Sequence, residues 1–271
     1  MISKLIPKIC ISIVLVFLYL PIVVVIIFAF NKTKSRTVFS GPTLNWFFEL
    51  FKDQSIMTAL LNSFILAILA SIIATIIGTI AALQIVKMKK SSQSVIMSLN
   101  YIPIINSDIV MGISLMLLMT FILNMVGGHL GFLTVLIAHI TLCMPYVILT
   151  IIPKIRQTDP NLLEAALDLG CTPSKAFFKI ILPQITPGII SAFIMAFSIS
   201  FDDFAVIYFT TGSSFQTLPV LIYSMARKRI TPKINALFAI MFVLILLMLI
   251  IMNYLDIKSE KVSKKKSLNS N

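Results

Sequence analysis

The sequence EAALDLG at residues 164–170 runs on to IILP at residues 180–183, and the chain is organised around this stretch. It is a charged, polar island in a sequence that is otherwise almost continuously apolar. Asp159-Pro160 is typical of a helix start, with Asp as the N-cap and Pro at the first helical position. Gly170 is typical of a helix end. The stretch therefore predicts a helix that ends at a sharp turn.

A second short helix is predicted after that turn. Thr172-Pro173 repeats the start signal, and Pro183 is expected to stop the helix because proline has no N–H to donate. Ala165 and Ala166 leave one side of the first helix thin, which lets another backbone approach closely. The island thus predicts a helix–turn–helix docking element within a loop over residues 153–186, between two membrane spans.

The composition is that of an all-α integral membrane protein. Hydrophobic residues make up 58% of the chain and charged residues 12%, with a mean hydropathy of +1.02, whereas soluble domains are about 25% charged. The net charge of +12 is spread over short loops and tails between apolar runs. This distribution favours membrane topology signals over a nucleic-acid interface.

Six apolar runs are predicted as membrane spans. The third is interrupted by Asn106-Ser107-Asp108, and Thr231-Pro232 is predicted to cap the sixth. The first run exceeds the apolar core of a signal peptide and no small-residue cleavage site follows it, so we expect a retained helix. We expect one transmembrane domain over residues 1–257 and a basic tail over 258–271. The spans are predicted at about 9–30, 61–86, 102–125, 131–152, 188–210 and 235–255.

The distribution of positive charge predicts the orientation. With the N-terminus inside, 14 of the 22 Lys and Arg residues fall on the cytoplasmic side and 8 on the other. Cytoplasmic loops carry the excess of Lys and Arg in membrane proteins. Both termini and the island are therefore expected in the cytoplasm, although the outer run Arg227-Lys228-Arg229 is itself basic.

The residues of this chain predict no metal site, no disulfide framework and no nucleotide site. Cys10, Cys143 and Cys171 form no C-x-x-C, and His129 and His139 have no Cys, Asp or Glu beside them, so a zinc role is not expected. The nine glycines contain no G-x-x-x-x-G-K-[ST] pattern. We expect the chain by itself to bind and hydrolyse no ATP, and so to need other subunits for any ATP-driven activity.

The island resembles the EAA loop of ABC importer permeases. The residue types and spacing match: Glu164-Ala165-Ala166, three residues, Gly170, nine residues, Ile180, one residue and Leu182-Pro183, ahead of the penultimate span. An ordinary helical hairpin of a secondary transporter is the alternative. Further stretches are similar to spermidine/putrescine permeases of the PotC type, namely Asn62-Ser63, Tyr101-Ile102-Pro103, Ser200-Phe201-Asp202-Asp203, Tyr208-Phe209-Thr210-Thr211-Gly212, Leu218-Pro219 and Ile222-Tyr223-Ser224-Met225.

This resemblance implies a MetI-like fold with six transmembrane helices, in a bacterial inner membrane. It implies as partners a second permease subunit, a dimer of ATPase subunits that bind ATP-Mg, and an extracytoplasmic polyamine-binding protein. It also implies no cofactor in this chain and coupling to the ATPase through the loop. The residues that carry over as the coupling positions are Glu164, Ala165, Ala166, Gly170, Ile180, Leu182 and Pro183.

The charges predicted inside the spans are all acids: Asp108, Asp202 and Asp203. Intramembrane charges usually face the bundle interior or a water-filled path, and no Lys or Arg lies within a predicted span. The pattern indicates a cationic substrate. For Asp108, capping of a helix break is an equal alternative. For the Asp202-Asp203 pair we favour function, because adjacent buried carboxylates repel each other, and Ser200 adds a hydroxyl nearby.

Aromatic residues are also candidates for the substrate path. Phe197, Phe201, Phe204 and Tyr208 recur at helical spacing, so they are expected on one face of the fifth span, for cation–π contact or for packing. Trp46 is expected in an interfacial belt or near the docked binding protein. The predicted substrate path comprises Asp108, Ser200, Asp202, Asp203, Trp46 and Tyr208.

The sequence thus predicts a permease subunit of an ATP-driven polyamine importer. A related importer for another solute and a stand-alone cation transporter are the two alternatives. A stand-alone transporter would carry its solute without partner subunits, whereas a permease subunit would not.

Overall fold

The chain is all-α in the computed structural model, which describes residues 2–33, 38–159, 161–213, 215–228 and 232–268. Within these ranges the extended structure is one isolated bridge between Asn31 and Pro42. The predicted fold class is confirmed. The helices are α1 (Ile2–Ala29), α2 (Asn45–Lys52), α3 (Gln54–Lys87), α4 (Lys90–Ile105), α5 (Asp108–Val126), α6 (Phe132–Arg156), α7 (Asn161–Asp168), α8 (Pro173–Ala176), α9 (Leu182–Asp202), α10 (Ala205–Thr210), α11 (Leu218–Lys228) and α12 (Pro232–Leu268).

Six helical segments among the described residues are long and apolar enough to cross a membrane. A bilayer core of about 30 Å needs about 20 apolar residues in a helix, and the shortest of the six has 19. The prediction of six spanning helices is therefore confirmed. The segments are Lys8–Ala29, Gln54–Lys87, Asp108–Val126, Phe132–Arg156, Pro173–Asp202 and Pro232–Ile251.

The contacts within the chain divide it into two compact units. One unit contains the described residues up to 60 together with 221–246. In it, buried Asn31 organises the loop after α1: its Nδ2 donates to the Val38 carbonyl at 2.8 Å, and its Oδ1 accepts from the Ser40 N–H at 2.9 Å. The Trp46 indole N–H donates to the Asn31 carbonyl at 2.7 Å. The same unit contains the ion pair between Asp53 and Lys233.

The other unit contains the described residues of 61–220 and those from 247 on. Its core lies where α3, α6 and α9 meet, and small side chains such as Ala74, Ala192 and Ala196 are fully buried there. A Cβ at Gly78 would lie 2.6 Å from Val147 Cγ1. Small residues let membrane helices pack with their backbones close together, so these positions determine how tightly α3 and α9 pack against α6.

The predicted third span, 102–125, is two helices in the structure. Helix α4 ends at Ile105 and α5 begins at Asp108, so the polar triplet Asn106-Ser107-Asp108 separates them. Helix α4 has no buried residue, and the segment long enough to span is α5 alone.

The prediction that Pro183 stops a helix is wrong. The chain stays helical from Pro173 to Asp202, because the five residues Phe177–Ile181 form a π-helical turn. The Leu182 N–H donates to the Phe177 carbonyl, five residues back. Pro183 then lies in the first turn of α9, where a missing N–H costs nothing.

Several sequence predictions fall at or beyond the edges of the described ranges. Thr231 lies outside them, and Pro232 is the first residue of α12. The backbone of α12 continues as helix to Leu268, so most of the predicted basic tail is helical. Lys34, Arg36, Pro160 and Arg229 also lie outside the described residues.

Candidate functional site

Residues 161–183, called the hairpin below, contain the helix–turn–helix that the sequence predicts. Asp159 Oδ1 accepts a hydrogen bond from the Asn161 N–H at 2.9 Å and so caps the start of α7. Gly170 has φ +82°. The Gly170 N–H donates to the Leu167 carbonyl and the Cys171 N–H to the Ala166 carbonyl, which together form a Schellman C-cap. Gly170 is required here because other residues pay a steric cost at positive φ.

The surface of the hairpin differs from the thin alanine face that the sequence suggests. Ala166 is buried and packs inward, whereas Glu164 and Ala165 are exposed. The exposed side chains include two large apolar ones, Leu169 at 86% and Phe178 at 64%, beside charged ones at Asp168, Lys175 and Lys179. Of the other coupling candidates, Ile180 and Leu182 are half-buried and Pro183 is exposed. The hairpin therefore offers an apolar surface beside a carboxylate.

The fifth span breaks at Asp203 and Phe204, called the α9–α10 break below. Asp203 has an extended conformation with ψ 130°, and α10 begins two residues later. Its carboxylate accepts hydrogen bonds from the Ile207 N–H at 3.0 Å and the Val206 N–H at 3.5 Å. Asp203 thus satisfies the otherwise unpaired N–H groups at the start of α10.

The two adjacent aspartates lie in different surroundings, contrary to the expectation of a buried pair. Asp202 is the last residue of α9 and is exposed, whereas the Asp203 side chain is only 6% exposed. The end of α9 separates them, because Asp202 is its last residue and Asp203 already lies in the extended backbone that leads to α10. The pair therefore contains one capping carboxylate and one accessible carboxylate.

His139 lies beside the α9–α10 break. Its sequence context was considered above only for zinc binding. His139 is fully buried in α6. Its Nδ1 lies 2.6 Å from Ser200 Oγ, and its Nε2 lies 3.6 Å from Asp203 Oδ2. The sequence feature that identifies His139 as a candidate is its position in the middle of an apolar span, where an ionisable residue is costly and usually functional.

These three side chains do not form a hydrolytic triad. Ser200 is 1% exposed and His139 is not exposed at all, so no substrate carbonyl can reach the serine hydroxyl. A nucleophile must lie within reach of the reacting atom. The cluster instead links α6 to the last turn of α9 and to the α9–α10 break.

Asp108 lies at the same level as the α9–α10 break. A Cβ at Gly112 would lie 3.1 Å from the Ala205 carbonyl oxygen, so α5 packs closely against α10. The residues that follow the two helices also meet, since a Cβ at Gly212 would lie 2.8 Å from the Leu130 carbonyl oxygen. The helices are thus parallel and their starts are adjacent. Asp108, exposed in the first turn of α5, is brought to the level of Asp202 and Asp203.

The predicted aromatic stripe is divided by the α9–α10 break. Phe197 and Phe201 stack at 5.6 Å and pack against Phe64, whereas Phe204 pairs with Tyr208 at 5.3 Å. The expectation of a single aromatic face is wrong, because the helix that would align the four rings ends at Asp202. Tyr208 is 44% exposed, while Phe201 belongs to the core.

Six spanning helices, a broken span with acidic residues and an exposed helical hairpin define a polytopic membrane transport subunit. Residues 74–261 match the family of binding-protein-dependent transport system inner membrane components. The chain belongs to this family of ABC importer permeases, and it is a multi-pass protein of the inner membrane.

The chain is similar to curated relatives over most of its length. It is 36% identical over 212 residues to the putrescine transport system permease protein PotI of Escherichia coli strain K12, covering 77% of this chain and 75% of the relative. It is 34% identical over 223 residues to the spermidine/putrescine transport system permease protein PotC of Haemophilus influenzae, covering 82% and 85%.

Solved structures share the fold. A bacterial ABC transporter involved in the import of the acidic polysaccharide alginate aligns with a TM-score of 0.70 at 18% identity, over 96% of this chain and 94% of that chain. An amino acid ABC transporter aligns with a TM-score of 0.57 at 22% identity, over 80% of this chain and 99% of that chain. These similarities confirm the predicted MetI-like permease fold.

Proposed function

We propose that this chain is a permease subunit of an ATP-driven importer that carries polyamines such as putrescine or spermidine. The observation that carries the substrate class is the set of carboxylates at the starts of α5 and α10 and the end of α9, in a chain with no Lys or Arg inside the predicted spans. Two relatives, 36% identical over 212 residues and 34% identical over 223 residues, are named for putrescine and for spermidine/putrescine transport.

The α9–α10 break favours a cation over an anion. The last carbonyl groups of a helix are unpaired and carry a partial negative charge. Asp202 adds a full negative charge at that end of α9, while Asp203 already occupies the positive end of α10. An ammonium group therefore meets favourable charge at this level of the span. Transporters with broken helices hold cations at such C-terminal ends.

The hairpin supports coupling to a separate ATPase. Its exposed Leu169 and Phe178 form an apolar surface that a partner can cover, and Glu164 lies on its exposed side. We place the hairpin and both termini in the cytoplasm by the positive-inside rule. The partners are then a dimer of ATPase subunits that binds ATP-Mg, a second permease subunit and an extracytoplasmic polyamine-binding protein.

Reconstitution tests this proposal. Proteoliposomes containing this chain, the second permease and the ATPase are loaded with MgATP and given labelled polyamine with the binding protein. We expect uptake that requires all four components, and none with an ATPase that lacks its P-loop lysine. Uptake by this chain alone would instead identify a stand-alone cation transporter. ATP-driven uptake of other solutes but not of polyamines would identify a related importer.

A further inference from the structure

The cluster of His139, Ser200 and Asp203 joins α6 to both sides of the α9–α10 break. His139 comes from α6, Ser200 from the last turn of α9, and Asp203 from the break itself. All three side chains are more than nine-tenths buried. One imidazole ring thus contacts the last turn of one half-helix and faces the cap of the next.

The arrangement around the ring is consistent with one tautomer of His139. With Asp203 as an ionised carboxylate, which only accepts hydrogen bonds, a hydrogen on His139 Nε2 would face an acceptor. In that neutral imidazole Nδ1 is the acceptor, and the Ser200 hydroxyl would donate to it across 2.6 Å. The hydrogen bonds would then run in one direction, from Ser200 through His139 toward Asp203.

The hydrogen bond between His139 Nε2 and Asp203 is not formed, although the two side chains lie within ion-pair distance. His139 Nε2 is buried and has no hydrogen-bond partner in the part of the chain that the structure describes, and its 3.6 Å separation from Asp203 Oδ2 exceeds hydrogen-bond length. Buried donors are nearly always satisfied, so an unsatisfied one needs an explanation. A relative movement of less than about 1 Å between α6 and the α9–α10 break would complete the bond.

We propose that His139 is a positioning residue whose bond to Asp203 is open in the state seen here and closed in another state of the transport cycle. Asp203 holds the start of α10 through the N–H groups of Val206 and Ile207, so closing the bond moves that start toward α6. Asp202, which precedes Asp203 in the chain, moves together with the start of α10. The inference rests on the proposed function, since it assigns how the exposed carboxylate is moved during transport.

Two conservative substitutions separate the two sides of the ring. Asparagine at position 139 places its amide near the position of Nδ1 and keeps a partner for Ser200, whereas glutamine reaches the position of Nε2 and keeps a donor for Asp203. In the fully reconstituted importer we expect His139→Gln to keep maximal uptake within about threefold, and His139→Asn to lower it at least tenfold with the polyamine KM unchanged. Asp203→Asn is expected to resemble His139→Asn.

A matched control is Thr141→Val, which removes a hydroxyl on α6 whose hydrogen bond among the described residues is to the Ile137 carbonyl of its own helix. It is expected to transport as wild type. Equal activity of the Asn and Gln variants, whether both are normal or both are lost, would show that the ring only fills space and would overturn the inference. If wild type itself carries no polyamine, the proposed function fails instead.

A second measurement does not depend on those variants. The chain has two histidines, so His129→Gln leaves His139 as its single imidazole for nitrogen NMR. The subunit is labelled with ¹⁵N-histidine and assembled with unlabelled partners. We expect the Nε2 resonance to shift between the nucleotide-free complex and the complex trapped with MgATP and vanadate. An unchanged resonance would overturn the inference.

Discussion

In the hairpin and at the α9–α10 break, the side chains that are exposed or buried are the opposite of those that the sequence suggests. The hairpin is the charged part of an apolar chain, yet it exposes Leu169 and Phe178 and buries Ala166. The α9–α10 break lies in an apolar span, yet it buries Ser200 and Asp203 against His139. In one region a polar sequence exposes large apolar side chains, and in the other an apolar sequence encloses a polar cluster.

The difference follows from the surroundings of each region. We expect the hairpin to face water outside the bilayer, where exposed apolar side chains such as Leu169 persist only if a partner covers them for part of the cycle. The α9–α10 break follows the apolar segment Pro173–Asp202, and N–H groups that water does not reach must be satisfied by buried polar side chains. Apolar exposure and polar burial are therefore the informative observations in this molecule.

The largest expected effect is at the apolar surface of the hairpin. Leu169→Glu places a charge where we expect a partner to exclude water, and such changes at interface hot spots cost about 2–4 kcal/mol. We expect ATP-driven uptake and co-purification of the ATPase both to fall at least tenfold. The control Leu169→Met keeps an apolar side chain and should retain both. Normal co-purification of the ATPase with the Leu169→Glu variant would show that the hairpin is not the docking surface.

The next effect distinguishes Asp202 from other exposed acids. Asp202→Asn removes the accessible carboxylate at the end of α9, and we expect polyamine uptake to fall about tenfold, equivalent to about 1.4 kcal/mol. Complex assembly measured by size-exclusion chromatography should be unchanged. Glu49→Gln neutralises an exposed acid on α2 and is expected to transport normally. Wild-type uptake by the Asp202 variant would show that this carboxylate does not meet the substrate.

A smaller effect is expected at the turn of the hairpin. Gly170→Val forces a β-branched residue to φ +82°, at a cost of about 1–2 kcal/mol. Nothing lies within 4 Å of an added Cβ there, so any loss comes from the backbone and not from a clash. We expect a melting temperature a few degrees lower for the valine variant and an intermediate value for Gly170→Asn. Equal melting temperatures for all three proteins would contradict the Schellman cap.

The smallest effect concerns the partly exposed charge pair of Asp53 and Lys233, in contrast to the buried cluster. The hydrogen bond from Lys233 holds the pKa of Asp53 below its usual value, although partial burial opposes this. Because the folded-state pKa is the lower one, the pair stabilises the protein above about pH 4 and the contribution is lost as the pH falls through the folded pKa. Partly exposed pairs contribute about 0.2–1 kcal/mol.

Thermal unfolding of Asp53→Asn against wild type measures this contribution. The variant should melt slightly lower at pH 7, and the difference should shrink as the pH falls below about 4 and vanish below the folded-state pKa of Asp53. A difference that grows in acid would mean that the assigned direction of the pKa shift is incorrect.

Local sequence signals predicted the parts of the fold that depend on neighbouring residues. Asp159 caps α7 and Gly170 ends it, because both roles are decided within a few residues of backbone. The interruption at Asn106-Ser107-Asp108 separates α4 from α5 for the same reason. The prediction for Pro183 is wrong because its effect depends on the five-residue π-helical turn Phe177–Ile181 just before it, which no residue pattern here indicates.

The candidate substrate site was only partly predictable. The acids Asp108, Asp202 and Asp203 are visible in the sequence as rare charges in apolar spans. Their division into capping and accessible carboxylates depends on where α9 ends, which also divides the aromatic residues into two pairs. His139 was overlooked because its partners are 61 and 64 positions away along the chain.

The sequence by itself determined that this is a six-span permease with an EAA hairpin and acids in its spans, since hydropathy, caps and motif spacing are local properties. Tertiary structure alone decided that Asp202 is accessible while Asp203 caps α10 and faces His139. It also decided that Asp108 lies at the same level, because α5 and α10 run parallel in close contact. The physical reason is that burial and pairing of a charge depend on which helices surround it, and those neighbours are distant in sequence.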